Sequence, residues 1–271
     1  MVCKIQAKEI YRQTREIMTE KIITRMNDNG IAYLKMNDIE EKNSFSNDFI
    51  AGLIKGLDKI TAMKPNVLIL SGLEDVFSGG AEKQNLIDLC NGKVHVKDLL
   101  ISEKLINTPF PVIAAMEGHA VGGGFVIAAC CDIVLAARES RYGAVFMLMG
   151  FTPGMGCTTL LSELVGPFIA NEMMFTGKRF KGSELARKST NINYILPKKE
   201  IMNKAEDIAW QISENNIKST YLLKNTLSAK KKKLLIKARQ QEDLMHKISF
   251  AFPETREAVE EFYAGKENKE K

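Results

Sequence analysis

Residues 111–137 read PVIAAMEGHAVGGGFVIAACCDIVLAA, and the interruptions inside this apolar stretch decide what it builds. A bilayer span needs about 20 predominantly apolar residues with few charges. Here Glu117, His119, three successive glycines and Asp132 break the run. PVIAAM reads as a buried strand, GHAVGGG as a tight turn, the residues from about Gly123 as a helix, and CDIVLAA as the next strand. Strand, turn, helix and strand in that order call for an α/β layer arrangement.

The pattern extends toward the N-terminus. NVLILSG, residues 66–72, is a short buried strand that ends in glycine. Before it, Phe49, Leu53 and Leu57 recur at near-helical spacing and predict a helix over 46–63. Strands are expected at 22–26 and 31–36, separated by the turn signal NDNG. After FSGGAEKQNLIDL, a helix is expected over 96–106. From residue 158 the pattern becomes helical, with segments at 158–164, 169–175, 201–215, 220–227 and 231–250. The expected organisation is an α/β core over 1–200 and a helical C-terminal extension over 201–271, with a polar tail from 267 that does not pack. No internal repeat or Pro/Gly/Ser-rich linker divides the chain.

Composition sets the bounds. A chain of 271 residues, 45% hydrophobic and 26% charged, can bury one large core. The first residues, MVCKIQAKEIYRQTREIMTEK, lack the apolar centre of a signal peptide, so a cytoplasmic protein is expected. Cys3, Cys90, Cys130, Cys131 and Cys157 are odd in number and follow neither zinc nor disulfide spacing. They read as buried or incidental thiols, and no metal site is expected. The net charge of +5 is concentrated in AKKKKLLIKAR, residues 229–239. That run is either a solvated helix face or a site for acidic groups, such as the phosphates of coenzyme A or an acidic carrier domain. Three histidines and one tryptophan give it no aromatic interleaving, so no nucleic-acid partner is expected.

Two glycine turns stand before predicted helices: FSGGAEK, residues 77–83, and GHAVGGGF, residues 118–125. Glycine lets a backbone approach a ligand closely, and the first N–H groups of a helix lack internal partners. Two such turns offer donors to one anionic oxygen. Tight strand-to-helix packing uses the same glycines, and the turns alone leave both readings open.

Their order carries more. NVLILSG, FSGGAEK, TPFPVIAAMEGHAVGGGF, CDIVLAARES and GFTPGMG, in that sequence, resemble the crotonase, or enoyl-CoA hydratase/isomerase, superfamily, over roughly residues 22–264. The resemblance implies a crotonase-like spiral of repeated strand-strand-helix units, a homotrimer and an acyl-thioester substrate. It also implies an oxyanion hole formed by the backbone N–H groups of Ala81 and Gly123. Hydratases of the superfamily carry glutamates at the positions held here by Val126 and Phe146. Carbon side chains move no proton, so hydration and dehydration are not expected. Val126 and Phe146 are instead expected to line the substrate site and keep water from it.

A closer resemblance, carried by PVIAAMEGHAVGGGF, RESRYGAVFM, MGFTPGMG and LMHKISF, is to the decarboxylase branch that acts in polyketide β-branching. It implies loss of CO2 from a 3-methylglutaconyl group on an acyl carrier protein, leaving 3-methylcrotonyl. Lys83 and His246 are thereby placed in the active site, Lys83 as carboxylate anchor and His246 as proton donor, with exchange of those roles left open. The phosphopantetheine thioester is the electron sink, so no further cofactor is implied. The implied partners are the acyl carrier protein of a polyketide synthase and a β-branching dehydratase, with no membrane. Two alternatives stand beside this reading: another crotonase-like isomerase or dehydratase, and a noncatalytic acyl-carrier-binding protein. A lysine after a turn is ordinarily solvated and a helix histidine ordinarily superficial. His119 reads as a turn residue, His95 carries no motif, and MLMGFTPGM reads as adaptable packing that also suits an acyl pocket.

Overall fold

The structure is a computed structural model that describes residues 20–93 and 100–267. Cys3, His95, the start of the helix expected over 96–106 and the tail beyond 267 lie outside them.

The strands β1 (Ile22–Met26) and β2 (Ile31–Met36) pair antiparallel across NDNG. Asn27 closes that turn by accepting the N–H groups of Asn29 and Ile31 on its side-chain oxygen. A short β3 (Ser44–Phe45) leads into α1 (Asn47–Met63). Ser46 caps this helix by accepting the Phe49 N–H at 3.2 Å, and Phe49, Leu53, Leu57 and Ile60 form its buried stripe.

Three strand-strand-helix units follow. The first comprises β4 (Val67–Ser71), β5 (Val76–Ser78) with β6 (Gly80–Ala81), and α2 (Lys83–Cys90). After α3 (Ile101–Ile106) comes the second: β7 (Val112–Met116), β8 (His119–Val121) and α4 (Gly123–Cys130). The third is β9 (Ile133–Ala137), β10 (Arg141–Gly143), a 3-10 turn at Phe146–Met149, and α5 (Cys157–Val165). Then come α6 (Pro167–Thr176), β11 (Arg179–Lys181), α7 (Gly182–Leu185), β12 (Tyr194–Leu196), α8 (Lys198–Ser213), α9 (Ile217–Ser249) and α10 (Pro253–Glu267).

The first strands of the units join one sheet ordered β1-β2-β4-β7-β9-β12, and the second strands join another ordered β11-β10-β8-β5. From β2 to β12 the large sheet is parallel, which explains the continuous apolar runs of VLILS and VIAAM: both faces are covered. One face packs on α1 and α4. The other receives Ile201, Ala205 and Ala209 of α8 against Val67, Ile69, Ile113 and Leu135. The boundary expected at residue 200 therefore falls inside a helix that covers the core sheet.

The helices expected at 220–227 and 231–250 are a single helix, α9. Residues 228–230 contain neither glycine nor proline to interrupt the helix, and Ser228 satisfies its buried hydroxyl on the Lys224 carbonyl at 2.8 Å. The basic run lies on α9 and is largely engaged by the chain itself. Lys230 pairs with Glu163 at 2.5 Å, and Lys232 bonds the Asn225 side chain at 3.2 Å. Lys231 donates to the carbonyls of Ala129 and Cys131 at the end of α4, where a cation suits the helix dipole. Two turns before Lys231 on that face, the buried Lys224 pairs with Asp132 at 2.7 Å.

Among the described residues, no helix is long and apolar enough to cross a membrane, and no cluster of three or more His, Cys, Asp and Glu is arranged to hold a metal ion.

Candidate active site

The two glycine turns, which begin 41 residues apart at Phe77 and Gly118, meet. Gly80 has φ +81°, and a methyl group placed on it would lie 2.5 Å from the Val121 oxygen and 3.5 Å from the Gly123 nitrogen. Only glycine satisfies both the left-handed backbone and that approach. Ala81 follows at once, so the first turn is seated against the start of α4. A methyl on Gly123 would in turn meet the Phe45 ring at 2.4 Å and the Met155 sulfur at 2.9 Å. The start of α4, whose first N–H groups lack partners within the helix, thus lies beside the first turn with Phe45 and Met155 packed on Gly123.

Asn43 ties this arrangement to the sheet beneath it. Its side chain, fully buried, donates to the carbonyls of Met36, Val76 and Phe77 and accepts the Asp38 N–H. Ser78 bridges the Asn43 carbonyl at 2.8 Å to the Gly80 N–H at 3.3 Å. From the far end of the chain, Tyr263 on α10 donates to the Ala81 carbonyl at 2.5 Å. Burial raises its phenol well above the ordinary value, with the Glu82 carboxylate adding to the effect, so it is a fixed donor.

Val126 and Phe146 put carbon next to the second glycine turn. Val126 lies on the first turn of α4 and is buried, its N–H bonded to the Gly122 carbonyl at 3.2 Å. The Phe146 ring stands 3.8 Å from where a Gly122 side chain would begin. It opens a row of rings: Phe146 against Phe151 at 6.0 Å, Phe151 stacked on Phe250 at 4.7 Å, and Phe250 beside His246 at 5.5 Å.

His246 ends that row, only 6% exposed. Its Nε2 lies 2.7 Å from the Thr152 carbonyl, and because a carbonyl only accepts, Nε2 carries the hydrogen. Its Nδ1 is buried with no hydrogen-bond partner among the described residues. Burial holds the imidazole below its ordinary value of 6.5, partly opposed by the Thr152 carbonyl and Asp243. The ring is therefore neutral at pH 7, with its single N–H committed to the loop at 152–156.

Lys83 opens α2, two residues beyond Ala81, half-buried and without a hydrogen bond or ion pair among the described residues. No bond joins it to His246. Between Ala81 and Lys83, Glu82 is pushed above the ordinary carboxylate value by burial and by its neighbour Glu41. No sequence motif singles out Glu82, Tyr263 or Phe45. Each acts through a partner distant in the chain, and no local pattern marks them.

The other candidates have structural occupations. His119 accepts the Arg141 N–H on Nδ1 at 3.0 Å, consistent with a turn residue. Cys130, Cys131 and Cys157 are buried and burial raises all three thiols, Cys130 to about 11, which leaves no ready thiolate.

Comparison with known proteins agrees with this geometry. Bacillaene synthase decarboxylase PksI of Bacillus subtilis (strain 168) is 31% identical over 248 residues, covering 91% of this chain and 99% of that protein. A structure solved for a dehydratase/decarboxylase enzyme couple involved in polyketide β-branching superposes with a TM-score of 0.85 at 30% identity, covering 89% of this chain and 98% of that one. The ECH2 decarboxylase domain of CurF from Lyngbya majuscula gives a TM-score of 0.84 at 30% identity, covering 90% and 99%. The profile of the enoyl-CoA hydratase/isomerase family matches residues 26–269. With sequence, topology and paired turns in agreement along nearly the whole chain, this protein belongs to the enoyl-CoA hydratase/isomerase family.

Proposed function

We propose that this protein is a decarboxylase of polyketide β-branching, converting a 3-methylglutaconyl group on an acyl carrier protein to 3-methylcrotonyl. The observation that carries the reading is the pairing of two backbone turns at Ala81 and Gly123 with carbon side chains, Val126 and Phe146, beside them. The relatives at 30% identity or more, named as decarboxylases or as part of a dehydratase/decarboxylase couple, support it.

In the proposed reaction, the bond between the terminal carboxylate and its neighbouring carbon breaks and CO2 leaves. The electron pair moves through the conjugated system onto the thioester oxygen, giving a dienolate. The N–H groups of Ala81 and Gly123 hold that oxygen, and the charge they stabilise appears only as CO2 departs. One proton then returns to the carbon that lost CO2. The thioester is the electron sink, so the chemistry calls for no metal or redox group. The buried Val126 and Phe146 keep water from the dienolate.

The hydrogen bonding moves proton donation from His246 to Lys83, which keeps the carboxylate-anchoring role as well. A neutral His246 has one N–H, and it is bound to Thr152. An ammonium at Lys83 pairs with the substrate carboxylate and, once CO2 leaves, stands beside the carbon that needs the proton. His246 then fixes the loop at Thr152 and presents its bare Nδ1.

The substrate arrives as a phosphopantetheine thioester on an acyl carrier protein in the cytoplasm, supplied by a β-branching dehydratase. A homotrimer suits the exposed apolar side chains of Phe168 and Phe175 on α6 and Leu222 and Leu227 on α9. With Lys230, Lys231 and Lys232 engaged within the chain, carrier steering by the basic run rests on its remaining lysines. If the run steers, added salt weakens use of the carrier-linked substrate more than use of a pantetheine thioester; an equal response removes steering.

The test is intact-mass analysis of 3-methylglutaconyl acyl carrier protein incubated with the protein and with Lys83→Ala. Loss of one CO2 with the native protein, suppressed in the variant, is the expected result. A shifted double bond without mass loss would instead make it an isomerase, and saturable binding without turnover a carrier-binding protein.

A further inference from the structure

Glu242 is a buried carboxylate, 2% exposed, that the proposed chemistry does not use. It lies on α9 one helical turn before His246, on the same face. One of its oxygens accepts the Gly156 N–H at 2.7 Å, and the other accepts the Thr158 N–H at 2.9 Å and the Thr158 hydroxyl at 2.7 Å. Gly156 is the N-cap of α5 and has no side chain with which to cap it. Glu242 does so from another helix, placing a carboxylate on the orphan donors of an N-terminus.

Those donors directly follow Met155. Its backbone is left-handed, with φ +64° at a non-glycine residue, and its sulfur lies against Gly123. Such a conformation persists only where surrounding structure enforces it. Ser102 holds the Met155 carbonyl at 2.7 Å, His246 holds the Thr152 carbonyl, and Glu242 holds the residues that follow.

We propose that Glu242 is a positioning residue of the oxyanion site: by fixing Gly156 and Thr158 it sets Met155 against Gly123 and so fixes the aim of the Gly123 N–H. Glu242 touches neither substrate nor the reacting atoms. The inference rests on the reading of Ala81 and Gly123 as donors to a thioester oxygen. Misplacement of a reacting group by about 1 Å costs on the order of 100-fold in rate, and a change at Glu242 should fall at or below that.

Glu242→Gln keeps the volume but turns an amide NH2 toward one of the three donors. Thr158→Val removes only the hydroxyl donor and is the milder second variant. Two measurements are made on each folded variant: kcat and KM for CO2 loss, and the carbonyl stretch of 13C-labelled crotonyl-pantetheine, which has no carboxylate to lose. In the native protein the bound carbonyl should shift to lower frequency. Glu242→Gln should lower kcat ~10- to 100-fold with KM changed less, and shrink the shift. Thr158→Val should do both in smaller measure. A normal native shift with unchanged shifts and kcat in both variants overturns the positioning role while leaving the oxyanion reading intact. Absence of a shift in the native protein overturns the oxyanion reading, and the Glu242 role with it.

Discussion

The paired turns at 77–83 and 118–125 and the helices α9 and α10 contribute to the proposed site by opposite means. In the proposed site the turns supply main-chain donors, so their identity is carried by glycines and small residues whose neighbours are fixed by the sheet. The helices supply side chains, namely Glu242, His246 and Tyr263, that reach back 84 to 182 residues to hold the loops around those donors. Donor geometry is thus specified locally and its rigidity remotely. A change in the turns should remove the reaction, and a change in the helices should loosen it.

The largest effect is expected at Gly123. Gly123→Ala puts a methyl 2.4 Å from the Phe45 ring and 2.9 Å from the Met155 sulfur. The start of α4 must shift, and the rate of CO2 loss should fall by ~10²–10³ with the protein still folded, as for loss of an oxyanion donor. A variant with native kcat would separate Gly123 from the oxygen. Next, Lys83→Ala should lower kcat by roughly 10² or more, within the range for a positioned proton donor. Lys83→Arg should retain binding of the carboxylated substrate but not turnover, because a guanidinium is not deprotonated in proteins. Restored turnover in Lys83→Arg would return Lys83 to anchoring alone.

On the helix side the effects are smaller. Tyr263→Phe removes the bond to the Ala81 carbonyl, worth ~1 kcal/mol for a neutral pair, and should lower kcat about fivefold with little change in KM. A larger loss in KM than in kcat would mean that Tyr263 contacts the substrate. The last prediction concerns stability. His246 is held below 6.5 in the fold, so the unfolded chain binds the proton more readily. Its contribution to stability is present above pH 6.5 and is lost as pH falls through the folded value. The melting temperature should therefore drop on acidification below 6.5, less steeply in His246→Gln. Equal slopes would mean that the imidazole is not buried neutral.

Much of the turn region was legible in the sequence. Strands 22–26 and 31–36, the helix with Phe49, Leu53 and Leu57, and the strand-turn-helix of 111–130 follow from period and glycine placement, and the structure places them there. The second sheet was not legible, because β5, β8, β10 and β11 span three residues each, too short for alternation to register. The unity of α9 was missed for a related reason: its buried face is sparse and polar, with Lys224, Ser228, Glu242 and His246 among its buried residues. The hydrophobic period by which a helix is recognised therefore fades. His246 was found only through a family resemblance, and Glu242 not at all. A buried carboxylate that caps a helix 86 residues away in the chain leaves no mark in its own neighbourhood.

The most direct test of the account is a turnover of 3-methylglutaconyl-pantetheine by the native protein in water enriched in 18O, followed by intact mass. With paired oxyanion donors and carbon at Val126 and Phe146, the account predicts loss of CO2 and no 18O in the acyl chain. A product that gains water and 18O while keeping its carboxylate would contradict it, showing that the site activates water without glutamates at those two positions.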